Sequence, residues 1–151
     1  MQLAHYLGLL HAAQVRLAEA FREVRAGHAD EADVFHLCER LAAQCDAHAE
    51  QLAPFARRYG EAADDEPERL HSAIFQGARD GPLGLLRDLQ DLYLMAAECD
   101  IAWTVVGQAA QGIRDGDLVA VVQLCEGETA MQVKWIRSRM KEAAPQALVV
   151  A

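Results

Sequence analysis

Apolar residues recur three and four positions apart along most of this chain, the period of helices that bury one face. The first stripe is Leu3, Leu7, Leu10, Gln14, Leu17, Phe21 and Val24, which predicts a helix over about 2–26 with Glu19 and Glu23 on its far side. The link Gly27-His28-Ala29 leads to Asp30, the expected N-cap of a second helix. That helix runs to about Tyr59 on the stripe Val34, Leu37, Leu41, Cys45, His48, Leu52 and Phe55. Pro54 lies inside it, and proline removes a donor and crowds the carbonyl of Glu50, so a kink is expected there. A third helix runs from Pro82 to about Gly112 on Leu85, Leu89, Leu92, Ala96, Asp100, Trp103, Gly107 and Ala110. After the turn Asp115-Gly116-Asp117, the fourth runs to about Ala144 on Leu118, Val121, Cys125, Glu128, Gln132 and Trp135. Pro145 is expected to end it, leaving 145–151 as a short apolar tail.

Residues 60–81 break the pattern. EAADDEPERLHSAIFQGARDG is acidic and turn-rich, with a short amphipathic helix expected around Leu70, Ile74 and Phe75 after Pro67. The connections are therefore short, long, short. Two antiparallel hairpins are joined by one long crossover, rather than by the three short loops of an up-down-up-down bundle. Val, Ile and Thr are sparse, which agrees with an all-α fold, and the length suits a single domain over 1–151.

Four of the stripes carry a polar residue at their centre: Gln14, His48, Asp100 and Glu128. Each lies about 14 to 19 residues from its turn, or roughly 21–28 Å at the helical rise, which puts all four near mid-bundle. A buried polar group without a partner costs about 1–3 kcal/mol. Four at one level must satisfy each other, or be satisfied by water or a metal. Cys45 and Cys125 stand beside them in the same stripes.

Connectivity and ligand-level spacing together resemble the ferritin-like superfamily of di-metal carboxylate proteins, over about residues 2–144. The resemblance implies a Glu from helix 1, Glu-x-x-His from helix 2, a Glu from helix 3 and Glu-x-x-His from helix 4. In those slots this chain has Gln14, Cys45-x-x-His48, Asp100 and Cys125-x-x-Glu128. Only His48 keeps the family's residue type. The layer offers two carboxylates, one imidazole and two thiols, where a di-iron site uses about four carboxylates.

Two readings stay open. In one, Cys45, His48, Asp100, Cys125 and Glu128 hold a transition ion (Zn, Mn or Fe), with Gln14, Gln44 and Gln132 hydrogen-bonded to the ligands. In the other, the layer is a metal-free polar network in a structural or interaction protein, with the thiols acting as small core residues. Redox chemistry at Cys45 and Cys125 is disfavoured, because buried thiols near carboxylates are hard to ionise. Glu98 and Glu126 point away from the layer. His5 and His36 belong to outer faces, His11 to the edge of its stripe, and His28 and His71 to connections.

The chain is 52% apolar with a net charge of −9, which argues against nucleic acid and anionic lipid as partners. The four cysteines form no C-x-x-C pair, as in a reduced cytoplasmic protein, and no membrane span or signal peptide is expected. No phosphate loop or nucleophile motif is present, so no enzymatic reaction is assigned. Leu94, Ile101 and Val105 make a second apolar face on helix 3, which suggests a homodimer.

Overall fold

The computed structural model describes residues 2–60 and 74–150. Its four long helices are α1 (Leu3–Gly27), α2 (Ala32–Arg58), α3 (Gly81–Gly112) and α4 (Gly116–Leu148). The all-α bundle is thus observed, close to the expected boundaries. The short helix expected in the crossover falls mostly outside the described residues; Ile74 and Phe75, which are described, are not helical.

Two termini differ from expectation. The N-cap of α2 is Glu31, not Asp30, and it makes no side-chain capping bond. Pro145 does not end α4, which continues to Leu148. A proline removes only its own donor, here for the Lys141 carbonyl, and an exposed carbonyl near a helix end can turn to water instead. Asp115 supplies a cap unforeseen from the pattern, its carboxylate accepting from Leu118 N at 3.1 Å.

α1 packs closely on α2 and α3 on α4; α1 also meets α3, and α2 meets α4 by the thinnest contact. Ion pairs at the two ends give the directions. Arg139 in late α4 reaches Asp33 at 2.7 Å and Glu31 at 3.0 Å at the start of α2. Arg58 Nη1 at the end of α2 reaches Asp115 Oδ2 before α4 at 3.0 Å, and Tyr59 Oη donates to the same oxygen. His28 after α1 meets Asp88 in early α3 at 2.7 Å. Every packed neighbour is therefore antiparallel, while α2 and α3 run the same way on a diagonal. The connection between them joins opposite ends of the bundle.

Side-chain size explains which contacts are close. Ala42, Ala49 and Ala56 are buried and seven apart, so they form one edge of α2, with Cys38 in line. Small residues let axes approach, and this edge faces α1. The opposite edge carries Gln44 and Gln51, which reach across to α4 through side chains. Long polar side chains hold that seam wider.

The connection rejoins the bundle at a buried charge cluster. Asp88 is fully buried and accepts from His28 Nε2 at 2.7 Å, Arg79 N at 2.9 Å and Arg79 Nη1 at 2.7 Å. Arg79 Nη1 also reaches Asp91 at 3.0 Å. Gly27 admits this segment, since a Cβ there would come within 2.4 Å of the Ala78 Cβ. Gly81 turns the chain into α3 at φ +75°, a conformation that favours glycine.

Asp88→Ala strands the His28 and Arg79 donors against a buried site. It should cost about 3 kcal/mol of unfolding free energy, measured by urea titration, because breaking one side of a buried charge cluster is far costlier than losing a surface pair.

Candidate functional site

The stripes of α1 and α2 run as the spacing predicts. Leu3, Leu7, Leu10, Gln14, Leu17, Phe21 and Val24 are all buried, as are Val34, Leu41, Cys45, His48, Leu52 and Phe55, with Leu37 half-buried. In α3 and α4 the stripe lies to one side of the expected one. Cys99, not Asp100, occupies the centre of α3, and Val106 replaces Gly107. In α4 the buried positions are Leu118, Val122, Cys125, Thr129, Gln132 and Ile136, so Thr129 takes the place expected for Glu128. Val121 and Trp135 are half-buried. One residue along a helix turns a side chain by about 100°, enough to move it from core to flank.

The mid-bundle layer therefore contains Gln14, Cys45, His48, Cys99, Trp103, Cys125, Thr129 and Gln132, all buried. Gln14 and Cys45 are equidistant from the α1–α2 turn, which puts them at one level. His48 lies one turn further along, its ring edge-on to Trp103 with centroids 5.8 Å apart. Its Nε2 is 3.5 Å from Glu128 Oε1, too long for a good hydrogen bond. The Glu128 side chain is 34% exposed and leads from the layer to solvent.

Asp100 is half-buried on the flank of α3 that faces α4. Burial raises its carboxyl above the ordinary value, and the nearby Glu126 charge raises it further. Glu126, which the sequence places away from the layer, accepts from Thr104 Oγ1 at 2.9 Å on that same outer flank. Asp100 is thus separated from His48 and Glu128, which meet at the α2–α4 seam.

Glutamines bind that seam. Gln132 Nε2 donates to Gln44 Oε1 at 3.0 Å, and the same amide lies against Cys45, with Sγ 3.8 Å from Oε1. The Cys125 thiol points to Gln51 Oε1 at 3.6 Å. Thr129 Oγ1 donates to the Cys125 carbonyl at 2.8 Å, which satisfies its hydroxyl within α4. Burial pushes the Cys45 thiol up to about 12, with the Gln132 contact partly offsetting it. Burial likewise pushes Cys125 up to about 12, aided by the Glu128 charge, and raises Cys99. These are neutral thiols at physiological pH.

A metal needs deprotonated donors converging on one point. Among the described residues no three His, Cys, Asp or Glu side chains do so. Of the five sequence-derived ligands, His48 and Glu128 come together, while Cys45 and Cys125 face glutamine amides and Asp100 stands apart. The donor set does not fit a di-metal centre. Of the three glutamines expected beside the ligands, Gln132 lies against Cys45 and donates to Gln44, while the Gln14 amide has no hydrogen-bond partner among the described residues. Cys99, Thr129 and Gln51 were missed. Cys99 could have been found from the sequence, since Ala96, Cys99 and Trp103 keep the three-four rhythm as well as Asp100 does.

No family model matches this chain, and no curated protein or solved structure matches it.

Two outcomes follow from the buried layer. All four cysteines are free and buried. In the folded protein at pH 8 fewer than about one-tenth of them should react with iodoacetamide in the time that a urea-unfolded control reacts fully, because only thiolate reacts. Burial also holds the His48 imidazole below its ordinary value, the Glu128 charge opposing this only in part. Below about pH 6.5 the unfolded chain takes up a proton that folded His48 resists, so stability should fall as pH drops through that point. His48→Gln should flatten this slope in urea titrations between pH 7 and 5.

Proposed function

We propose that this chain is a ferritin-like bundle that works as a non-catalytic interaction protein, pairing as a homodimer through the outer face of α3. The ferritin-like reading is supported by the antiparallel neighbours and by a connection that joins opposite ends of the bundle. The observation that carries the functional reading is the outer face of α3. Leu94, Ile101 and Val105 are 48%, 60% and 46% exposed on one side of that helix. No charged residue occurs from Ile101 to Ile113. A groove of about 370 Å³ between Leu3, Tyr6, Val105, Val106 and Ile113 continues the apolar face.

Charge selects the occupant. Two copies at −9 each repel over most of their surfaces, and the Ile101–Ile113 part of this face, beyond Glu98, lets them meet without opposed carboxylates. A two-fold axis through α3 would bring the same stretch together from both chains. In this reading the polar layer sets helix register, a use for which buried polar residues are well attested, at little net stability.

A second reading rests on the His48–Glu128 pair: a single transition ion (Zn, Mn or Fe) held there, with water completing its coordination. Among the described residues neither ring nitrogen of buried His48 has a good hydrogen-bond partner, and Glu128 connects the site to solvent. Metal analysis of untagged protein purified without chelators separates the readings. Half an equivalent or more, lost in His48→Ala, would favour the ion.

Light scattering coupled to size exclusion should give a dimer mass at micromolar concentration. Ile101→Glu with Val105→Glu should give a monomer with little change in melting temperature, since both positions are exposed in the single chain. A wild-type monomer at several hundred micromolar would end the dimer reading.

A further inference from the structure

Five buried side-chain atoms of the mid-bundle layer lack a hydrogen-bond partner among the described residues: Gln14 Nε2 and Oε1, His48 Nδ1 and Nε2, and Trp103 Nε1. All three residues are fully buried. His48 and Trp103 touch edge to face, and Gln14 lies at a level within one turn of His48 along the bundle axis. Left bare, each polar group would cost about 1–3 kcal/mol, a large fraction of the stability of a domain this size.

We propose that the layer is a binding site for a small cluster of internal water molecules, held by Gln14, His48 and Trp103. The chemistry of the five atoms points to a neutral guest that both donates and accepts. Trp103 and the Gln14 amide nitrogen only donate. Gln14 Oε1 only accepts. Neutral His48 has one nitrogen of each kind. A cation would be repelled by the Trp103 and Gln14 N–H groups. An anion would meet the Gln14 carbonyl oxygen and the nearby Glu128 charge. Buried water makes about three hydrogen bonds, so five orphan atoms call for about two waters. Glu128, half in solvent and 3.5 Å from His48 Nε2, marks the route of exchange. The glutamine-held seam between α2 and α4 is the side of the bundle where water can pass.

The site differs in ligand class from a metal centre at the same depth, and it does not depend on self-association. A monomeric chain could hold the cluster, and a dimer could lack it. The test is nuclear Overhauser spectroscopy on the wild-type protein, read at the carbon-bound ring protons of Trp103 and His48, which do not exchange with solvent. Cross-peaks to the water resonance with the sign of slow tumbling are expected, as from long-lived internal water. Gln14→Met keeps the side-chain volume and removes two of the five atoms; it should weaken these cross-peaks at least two-fold. Absence of cross-peaks in wild type would overturn the proposal. So would cross-peaks unchanged in Gln14→Met, or a stoichiometric transition ion on His48 in metal analysis.

Discussion

The bond from Gln132 Nε2 to Gln44 Oε1, at 3.0 Å, spans the seam where α2 and α4 make their thinnest contact. It is the central one of the polar contacts that tie α2 to α4, between the Arg58 and Arg139 ion pairs at the two ends. α1 and α2 are drawn together by an edge of alanines, and α3 and α4 form the other close pair. The two pairs are joined by α1 against α3 and by this glutamine seam. An amide pair has direction as well as energy. Together with the Arg139 and Arg58 ion pairs at the two ends, it holds α4 against α2 in one register, and so helps to set which residues of α4 reach the core. With Gln132 turned inward, Cys125, Thr129 and Ile136 follow at helical spacing, and Glu128 is carried to the rim.

The ends of the bundle are fixed by a different means. Asp88 gathers His28 and Arg79, Asp115 gathers Arg58 and Tyr59, and Arg139 gathers Asp33 and Glu31. Each cluster ties together elements far apart in sequence. Asp88 and Arg139 are buried, so their charges must be paired, and the pairing sets where the long connection and the α4 terminus can lie. Polar contacts in this chain thus act mainly as positional constraints on an otherwise apolar, alanine-rich core.

The middle layer shows how a ligand-like set of residues can share one depth in a bundle without converging on one point. Cys45 and His48 share a stripe, as do Cys125 and Gln132. Yet the thiols are neutral and turned to amides, and the two carboxylates stand on different flanks of the bundle. Convergence on one point in space depends on the rotation of four helices about their own axes. A rotation of one residue, about 100°, separates Asp100 from His48 while leaving every helix where the pattern put it.

The sequence alone determined the four long helices, their ends to within a few residues, the stripes of α1 and α2, and the short-long-short order of connections. These follow from local spacing, which one chain displays completely. Leu7, Leu10, Leu17, Phe21 and Leu52 leave no second choice of face. In α3 and α4 the apolar residues wrap further around the helix, so Asp100 and Glu128 fit a stripe as well as Cys99 and Thr129 do. The tertiary structure decided between them, because the partner helix, not the helix itself, selects which side of a broad apolar surface is buried. It also decided the fate of His28, Arg79 and Asp88, which look like surface residues until the connection returns and closes a buried charge cluster around them. The His28–Asp88 pairing spans 60 residues, and none of these pairings leaves a periodic trace in the chain.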